Sequence, residues 1–399
     1  MSFSIGTRIA VSALCLACAG SFAAPATQIH ADTIKNSSCQ SWQLMSSPNP
    51  GMVNSSLGLA ASAGNDVWMV GQQNGTTKDP HVAPLLEHWD GSKWSGMSVP
   101  ATKAISVLFA VTTNSPQDAW AVGINADKNA PTSTLTEHWD GKQWRSVASP
   151  NVSGANANNF LYGVAASRAN DVWAVGEANA KQSKSSALLE HWDGKQWSLV
   201  ASPNVVQGAN HLQNVTSLSP NDAWAVGSVN INNQSATPLI EHWDGKQWRL
   251  IDSPNVAGHV NALTGISASA PNDIWAVGTS IDPKSGDSRP LLEHWDGKQW
   301  SMLPDVGLVS DGGLQSVIAL SPTNVWGAGS QINDQSKEVP LLEHWDGKQW
   351  SIVASPNSQA DGSSLNTIIR IPGTARLIGS GTSYTKDTAS TLVISTSCS

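Results

Sequence analysis

An eight-residue phrase, Glu-His-Trp-Asp-Gly-Lys-Gln-Trp, recurs along this chain and constrains its fold more than any other feature. Copies begin at six glutamates, and only the first departs from the wording, with Ser-Lys in place of Lys-Gln: Glu87, Glu137, Glu190, Glu241, Glu293 and Glu343. These glutamates are 50, 53, 51, 52 and 50 residues apart. A fixed period of about fifty residues indicates a repeat architecture.

The composition is that of a folded chain with a large apolar core. Charged residues make up 13% of the sequence, and it contains 19 tryptophans. A chain so poor in charge and rich in tryptophan is not typical of disorder. The net charge of −8, without a long basic run, argues against nucleic acid and against an anionic membrane surface as partners, because both attract basic residues. We therefore expect no nucleic acid ligand.

The N-terminus has the pattern of a secretory signal. Arg8 precedes an apolar run of small residues at positions 9–24, which is typical of a signal peptide. We expect a signal peptide over residues 1–26, cut within 23–31, then a linker over 27–38 and one domain over 39–399. Lipidation at Cys18 is the alternative. The run is too short for a confident membrane span, and no second one follows, so we expect no integral membrane span.

Each repeat divides into four short β-strands. In the third copy they are predicted at residues 161–167, 172–176, 187–192 and 196–201. Asp193 and Gly194 separate the last two strands, and Asp-Gly between β-rich runs is a strong hairpin signal. Four antiparallel strands per repeat, arranged radially, form the blade of a β-propeller. The sequence therefore predicts an all-β fold.

A seventh copy is split between the two ends of the chain. Residues 365–371, 375–379 and 391–396 resemble the first three strands of a repeat, and then the chain stops. Residues 40–49 match the missing fourth strand, with Trp42 placed 52 residues before Trp94. We expect a seven-bladed β-propeller whose ring is closed by the N-terminal strand. In this alignment Cys39 and Cys398 both fall at the hairpin glycine, and we predict a disulfide between them.

The array resembles the kelch and galactose-oxidase type of seven-bladed propellers. Residues 172–176 (Val-Trp-Ala-Val-Gly) stand where kelch repeats carry a glycine-ended second strand, and the Trp-Asp-Gly turn with its later Trp also has a kelch counterpart. The turn is similar to the Asp-box of sialidase-like propellers too. The chain lacks the kelch double glycine and the Asp-box Ser or Thr. It most resembles exported bacterial propellers with Trp-Asp-Gly repeats, a resemblance that specifies the fold and transfers no catalytic residue.

The repeated polar and aromatic residues have a structural and a functional interpretation. Glutamate and histidine could bind a metal or transfer protons, yet six equivalent copies point to six places, whereas an active site is unique. Polar partners in neighbouring strands for the repeated Glu and His, together with a turn formed by Asp193, explain these residues without catalysis. The tryptophans could stack on sugars or fill the core between blades. The structural interpretation is favoured for both, and we expect no metal site, no cofactor and no catalytic residue among them.

Residues outside the repeat are better candidates for ligand binding. The connections from the fourth strand to the next first strand are rich in Asn and Gly, and loops on a rigid scaffold commonly bind ligands. The candidates are Asn158, Asn210, His211, His259, Asn261, Asp305, Asp311 and Asp361. Their amides and carboxylates can hydrogen-bond to hydroxyl-rich ligands, although Asn and Gly also suit turns.

Three functions remain open at this point. The first is a secreted, monomeric, non-enzymatic propeller that binds an extracellular glycan or protein through its loop rim. The second is a carbohydrate-active hydrolase or lyase at the mouth of the central channel, which would need two carboxylates about 5–10 Å apart. Asp305, Asp311 and Asp361 are its candidates. The third is a structural surface-interaction module.

Overall fold

The structure is a computed structural model that describes residues 41–74, 81–100, 105–127, 130–152, 157–179, 184–232, 235–304, 311–356 and 360–397. Within these ranges there are 28 β-strands and no helices. The strands form antiparallel four-stranded units that repeat along the chain. The predicted all-β fold with four strands per repeat is confirmed.

The units follow one another in the order of the sequence. The first contains β2 (Val53–Ala63), β3 (Asp66–Asn74), β4 (Val82–Trp89) and β5 (Trp94–Gly96). The second contains β6 (Ile105–Ser115), β7 (Asp118–Ala126), β8 (Ser133–Trp139) and β9 (Trp144–Ser146). The third contains β10 (Asn158–Arg168), β11 (Asp171–Asn179), β12 (Ser186–Trp192) and β13 (Trp197–Leu199). The fourth contains β14 (Ala209–Ser219), β15 (Asp222–Asn232), β16 (Ser235–Trp243) and β17 (Trp248–Leu250).

The remaining strands continue the pattern to the end of the chain. The fifth unit contains β18 (Val260–Ala270), β19 (Asp273–Ile281), β20 (Ser288–Trp295) and β21 (Trp300–Met302). The sixth contains β22 (Gly312–Ser321), β23 (Asn324–Ile332), β24 (Glu338–Trp345) and β25 (Trp350–Val353). The last contains β26 (Gly362–Arg370), β27 (Leu377–Tyr384) and β28 (Ala389–Ser397), and its fourth strand is β1 (Ser41–Met45).

The N-terminal strand occupies the place expected from the sequence. β1 pairs antiparallel with β28, with Trp42 opposite Thr396. Trp42 is buried and its ring lies 5.8 Å from that of Trp326 in the sixth unit. The fourth-strand Trp197 makes the same kind of edge contact with Trp120 of its preceding unit. Trp42 therefore packs like the tryptophan of a fourth strand, although it comes from the other end of the chain.

The hydrophobic core lies between neighbouring units. Second strands such as Val172–Val175 are fully buried on both faces. Trp120 of the second unit packs against Trp192 and Trp197 of the third, with ring centroids 4.7 and 5.2 Å away. Each hydrophobic cluster thus contains residues from two neighbouring units. This arrangement is typical of stacked propeller blades and not of a two-sheet sandwich.

The turns have the chemistry predicted from Asp-Gly. The Asp193 carboxylate accepts hydrogen bonds from the backbone N–H groups of Lys195 and Gln196, at 2.8 and 2.9 Å. Gly194 follows with a φ of 92°, in the region that glycine tolerates best. This geometry closes the hairpin between the third and fourth strands.

The strands differ in length from the sequence prediction. The first and second strands of the third unit extend further towards the rim, because Asn158, Asn159 and Phe160 pair with Asn179, Ala178 and Glu177. Asn158, Asn210, His211 and Asn261, which the sequence placed in connecting loops, consequently lie in first strands. The fourth strand is shorter than predicted and stops at Leu199.

Candidate functional site

The repeated histidines form hydrogen bonds with the start of the second strand. Each histidine Nε2 lies 2.7–2.9 Å from an Asp or Asn oxygen of its own unit. The pairs are His88 with Asp66, His138 with Asp118, His191 with Asp171, His242 with Asp222, His294 with Asp273 and His344 with Asn324. The imidazole therefore ties the third strand to the second.

These groups are not arranged as a nucleophilic triad. In the third unit the Ser167 hydroxyl donates to the Asp171 carboxylate and not to the imidazole of His191. A catalytic serine would need the histidine as its direct partner. The His191 ring packs on Trp173 with centroids 4.4 Å apart. The repeated phrase thus contributes strand pairing and packing.

The glutamate of the phrase is fully buried in all six copies. Burial raises the pKa of Glu87, Glu190 and Glu293 to about 8, and that of Glu137 and Glu241 to about 7. Serine hydroxyls donate to these groups: Ser146 to Glu137, Ser202 to Glu241 and Ser253 to Glu293, at 2.6, 2.8 and 2.8 Å. Ser149 also hydrogen-bonds to Glu190. Below neutral pH the five carboxyl groups with a raised pKa hold protons inside the fold.

Two of the predicted binding residues stabilise the connection that enters their strand. The Asn210 side chain accepts a hydrogen bond from the Val205 N–H at 2.7 Å and donates to the Val205 carbonyl at 3.0 Å. The amide of Asn261 donates to the Val256 carbonyl at 2.9 Å. Both residues are buried. Their presence in the rim is explained by turn chemistry.

The other predicted residues lie in several units. His259 Nδ1 is 3.1 Å from the Ser280 hydroxyl. Asp311, at a positive φ of 76°, accepts from Ser288 at 3.1 Å, and Asp361 accepts from the Lys386 N–H at 3.0 Å. Asp305 lies outside the described residues.

Asn158 and His211 lie on neighbouring first strands, beside residues that the repeat pattern did not reveal. Asn158 accepts from the Thr132 N–H of the preceding unit at 2.9 Å and donates to Asn179 at 3.2 Å. His211 Nδ1 lies 2.5 Å from a carboxylate oxygen of Glu177. This pair joins β14 of the fourth unit to β11 of the third.

Around this ion pair is a set of side chains that we call the Tyr162 cluster. It comprises Phe109, Phe160, Tyr162, Glu177, His211 and Asn230. The Tyr162 hydroxyl donates to Glu177 at 3.1 Å, and Asn230 Nδ2 lies 3.2 Å from His211 Nε2. The ring of Tyr162 lies 5.9 Å from that of Phe160, nearly parallel to it, and 5.4 Å from that of Phe109. The cluster spans three consecutive units.

The electrostatics of the cluster favour an ionised glutamate and a neutral tyrosine. Burial acts to raise the pKa of Glu177, but the hydrogen bond and charge of His211, with hydroxyl donors from Ser185 and Tyr162, outweigh it and hold the pKa below its usual value. Burial, with the charge of Glu177, raises the pKa of Tyr162. The tyrosine is thus a hydrogen-bond donor rather than a base.

A simple count could have revealed this cluster in the sequence. Phe109 and Phe160 are the only phenylalanines after residue 22, and Tyr162 is one of two tyrosines. Aromatic residues other than tryptophan therefore concentrate in the cluster. In the described ranges no three His, Cys, Asp or Glu side chains converge as metal ligands. Nor do those ranges contain a helix long and apolar enough to cross a bilayer.

Neither a protein-family model nor a curated protein sequence matches the chain. Solved structures do. YCF48 bound to a D1 peptide is 13% identical with a TM-score of 0.51, over 90% of this chain and 97% of that one. An ulvan lyase of family PL25 is 10% identical with a TM-score of 0.56, over 86% and 93%. The GH74 xyloglucanase from Xanthomonas campestris is 11% identical with a TM-score of 0.53, over 87% of this chain and 54% of its own.

At such low identity the neighbours inform the fold and not the activity. Their propeller architecture agrees with the four-stranded units and with the packing of tryptophans between units. The chain is a β-propeller built from repeated four-stranded units.

Proposed function

We propose that this protein is an exported, non-enzymatic β-propeller that binds an extracellular glycan or protein through the rim where its first strands begin. The observation that carries the proposal is the Tyr162 cluster. It is made of residues that the repeat does not require, and it includes His211 and lies beside Asn158 at that rim. Residues that break the symmetry of a repeat are the ones free to form a unique site.

The chemistry of the cluster suits binding better than catalysis. The Glu177 oxygens already accept from Tyr162 and His211, and a carboxylate so engaged is a poor general base. Half-buried aromatic rings surrounded by a few polar groups are typical of ligand sites. Phe109, Phe160 and Tyr162 supply such rings.

The proposal includes a ring of seven blades closed by the N-terminal strand. The 28 strands fit seven units of four. First strands contact one another in the order β2, β6, β10, β14, β18, β22 and β26, and β26 contacts β2. Closure removes the exposed sheet edges that would otherwise pair with other chains. The Trp-Asp-Gly hairpins and glycine-ended second strands support a kelch-like type.

A disulfide between Cys39 and Cys398 is the covalent part of this closure. Both cysteines lie outside the described residues. In the sequence, Cys39 is two residues before Ser41 and Cys398 is the residue after Ser397, and Ser41 lies opposite Ser397 in the β1–β28 pairing. We expect no alkylation of the native mature protein and alkylation of two thiols after reduction, measured by intact mass. Reduction should lower the free energy of unfolding by at most about 5 kcal/mol. Two free thiols in the native protein would refute this link.

Export is part of the same proposal and is supported by the signal pattern over residues 1–26, which also lies outside the described residues. Oxidising extracellular conditions would allow the disulfide to persist. Sequencing the N-terminus of the secreted protein tests it, since a mature chain beginning within residues 24–32 is expected.

The proposed binding function predicts that replacing His211 and replacing His191 affect ligand affinity differently. His211→Ala should weaken binding at least about tenfold, because it removes a polar side chain of the cluster and leaves one Glu177 oxygen without its imidazole partner. His191→Ala should leave affinity unchanged, since His191 is one of six repeated strand ties. The measurement is binding of the mature protein and both variants to glycan and peptide arrays, with melting curves to verify folding.

A parallel turnover assay on polysaccharides separates the alternatives. Binding without product release supports the proposed function. Turnover that depends on Asp311 or Asp361 would instead support the carbohydrate-active enzyme, and the absence of binding and of turnover would support a structural module. Equal loss in the two histidine variants would also contradict a site at the Tyr162 cluster.

A further inference from the structure

Each first strand contains a β-bulge at the same register, and its extra residue is half-buried in the inner layer of the fold. In β10, for example, pairing with β11 shifts between Leu161 and Gly163, which leaves Tyr162 as the extra residue. The seven residues at this position are Leu57, Phe109, Tyr162, Gln213, Thr264, Gln315 and Asn366. Bulges commonly redirect side chains near functional sites.

The order of these residues around the inner layer is not random. Because consecutive first strands contact each other, Leu57, Phe109 and Tyr162 are neighbours and form an apolar sector. The other four, from Gln213 to Asn366, form a sector of amide and hydroxyl groups. The wall that surrounds the axis is thus apolar on one side and polar on the other, where Thr264 and Asn366 also donate to the backbone of neighbouring first strands.

The rim above the apolar sector adds one more aromatic ring and the polar end of the cluster. Phe160 lies nearly parallel to Tyr162. His211 and Glu177 follow on the side of the polar sector, and the carboxylate is balanced by the imidazole and by the Tyr162 hydroxyl. An anionic group entering here would lie against the carboxylate of Glu177, and a cationic group would compete with His211 for it.

We propose that the Tyr162 cluster binds an uncharged pyranose at the end of, or within, an extracellular glycan. This inference rests on the proposed binding function and specifies its ligand. A pyranose has an apolar C–H face, which packs on aromatic rings, and a hydroxyl edge, which both donates and accepts hydrogen bonds. Phe109, Phe160 and Tyr162 receive the face. The amides of Asn230 and Gln213 can receive the edge. They lie beside the imidazole of His211, whose two nitrogens already contact Glu177 and Asn230.

The charge of the cluster sets the selectivity of this site. His211 is already paired with Glu177, so its imidazole is not free to pair with the acidic group of a uronic acid or a sulfated sugar. Cationic ligands gain little, because His211 already compensates the carboxylate. The site therefore selects neutral hexoses, pentoses or N-acetylhexosamines over charged sugars.

The experiment measures binding of the full mature protein by saturation-transfer NMR and calorimetry. Probes are neutral cello-, xylo-, manno- and chito-oligosaccharides, with oligogalacturonate and sulfated oligosaccharides as charged counterparts and a peptide array alongside. We expect at least one neutral series to bind at least about tenfold more tightly than its charged counterpart. Phe160→Ala should lower that affinity at least about tenfold.

Ser364→Ala is the matched control. Ser364 occupies the register position of Phe160 in the last unit, opposite Thr382 as Phe160 is opposite Glu177, and its loss should leave affinity unchanged. Tyr162→Phe keeps the ring and removes the hydroxyl, so a folded variant that still binds neutral sugar separates stacking from the hydrogen bond to Glu177.

The possible outcomes distinguish the pyranose site from the proposed binding function on which it rests. Preference for charged sugars would contradict an uncharged pyranose as the ligand but leave the proposed binding function intact. Peptide binding that is lost in Phe160→Ala would have the same consequence. Neutral sugar binding that survives Phe160→Ala would overturn the site. Absence of binding to every glycan and peptide probe would overturn both the ligand and the proposed function.

Discussion

Gly176→Ala is expected to prevent stable folding of this protein. A Cβ at this position would lie 1.9 Å from the Phe160 carbonyl oxygen across the strand pair, and backbone cannot move aside without breaking the ladder. The loss of stability should exceed about 4 kcal/mol, the range of backbone clashes and core disruption. Urea unfolding followed by tryptophan fluorescence measures it, with recovery of soluble protein as a second readout.

The same clash recurs in every unit, at Gly71, Gly123, Gly227, Gly278, Gly329 and Gly381, with first-strand oxygens 1.8–2.0 Å from the added Cβ. Gly96→Ala in the outer strand β5 is the control, because a Cβ there meets nothing within 4 Å. Its stability should change by less than about 1 kcal/mol. A Gly176→Ala protein as stable as Gly96→Ala would show that the inner strand pair can separate at no cost.

The stability of the protein should fall as the pH rises from about 5 to about 8. Above pH 4.5 the unfolded chain ionises its glutamates, whereas the folded chain keeps protons on Glu87, Glu190 and Glu293 up to about pH 8, and on Glu137 and Glu241 up to about pH 7. Each such group lowers the free energy of unfolding by up to about 1.4 kcal/mol per pH unit in this window. We expect Tm to drop by about 10 °C or more.

The opposite slope is expected at low pH. Side-chain hydrogen bonds from Ser92 and Arg249, followed by backbone hydrogen bonds, lower the pKa of the turn aspartates Asp90 and Asp244 to about 2. Their contribution is present above pH 3.8 and is lost as the pH falls towards 2. Maximum stability is therefore expected near pH 4–5. Melting curves at constant ionic strength across pH 3–9 measure both limbs, and a Tm that stays constant between pH 5 and 8 would contradict protonated buried glutamates.

A substitution tests whether a particular buried glutamate causes the loss of stability as the pH rises. Glu190→Gln removes one titrating group while keeping its shape, so it should stabilise the protein by about 3 kcal/mol at pH 8 and have little effect at pH 4.5. Asp334→Asn is the control, since Asp334 is exposed in the turn before β24. The control should shift Tm equally little at both pH values.

The sequence predicts the repeated parts of this molecule well, because each repeat confirms the others. The Asp-Gly turn at Asp193, the buried tryptophans and the pairing of β1 with β28 all follow from aligning the copies. The alignment also identifies the place of Trp42, since a strand missing at one end must be supplied by the other.

The candidate site is less predictable, because it lies where the repeat is not followed. Asn158 and His211 are in strands and not in loops, since the second strands of their units continue past Gly176 and Gly227 to pair with them. The residue type alone does not distinguish an asparagine that binds a ligand from one that stabilises a turn. Asn210 hydrogen-bonds to the backbone of the turn before its strand. The contact of Glu177 with His211 depends on the stacking of the third and fourth units, which no local pattern encodes.

The pairing of β1 with β28 also sets the order in which the molecule can be completed. Its partners, such as Ser41 and Ser397, lie about 350 residues apart in the chain, and contacts of such separation form late because the intervening loop must first be ordered. A chain emerging during synthesis or export can assemble its inner units early but keeps β1 unpaired until β28 arrives. The propeller is therefore expected to reach its final stability only after β28 has been made, so that loss of either strand removes the partner of the other.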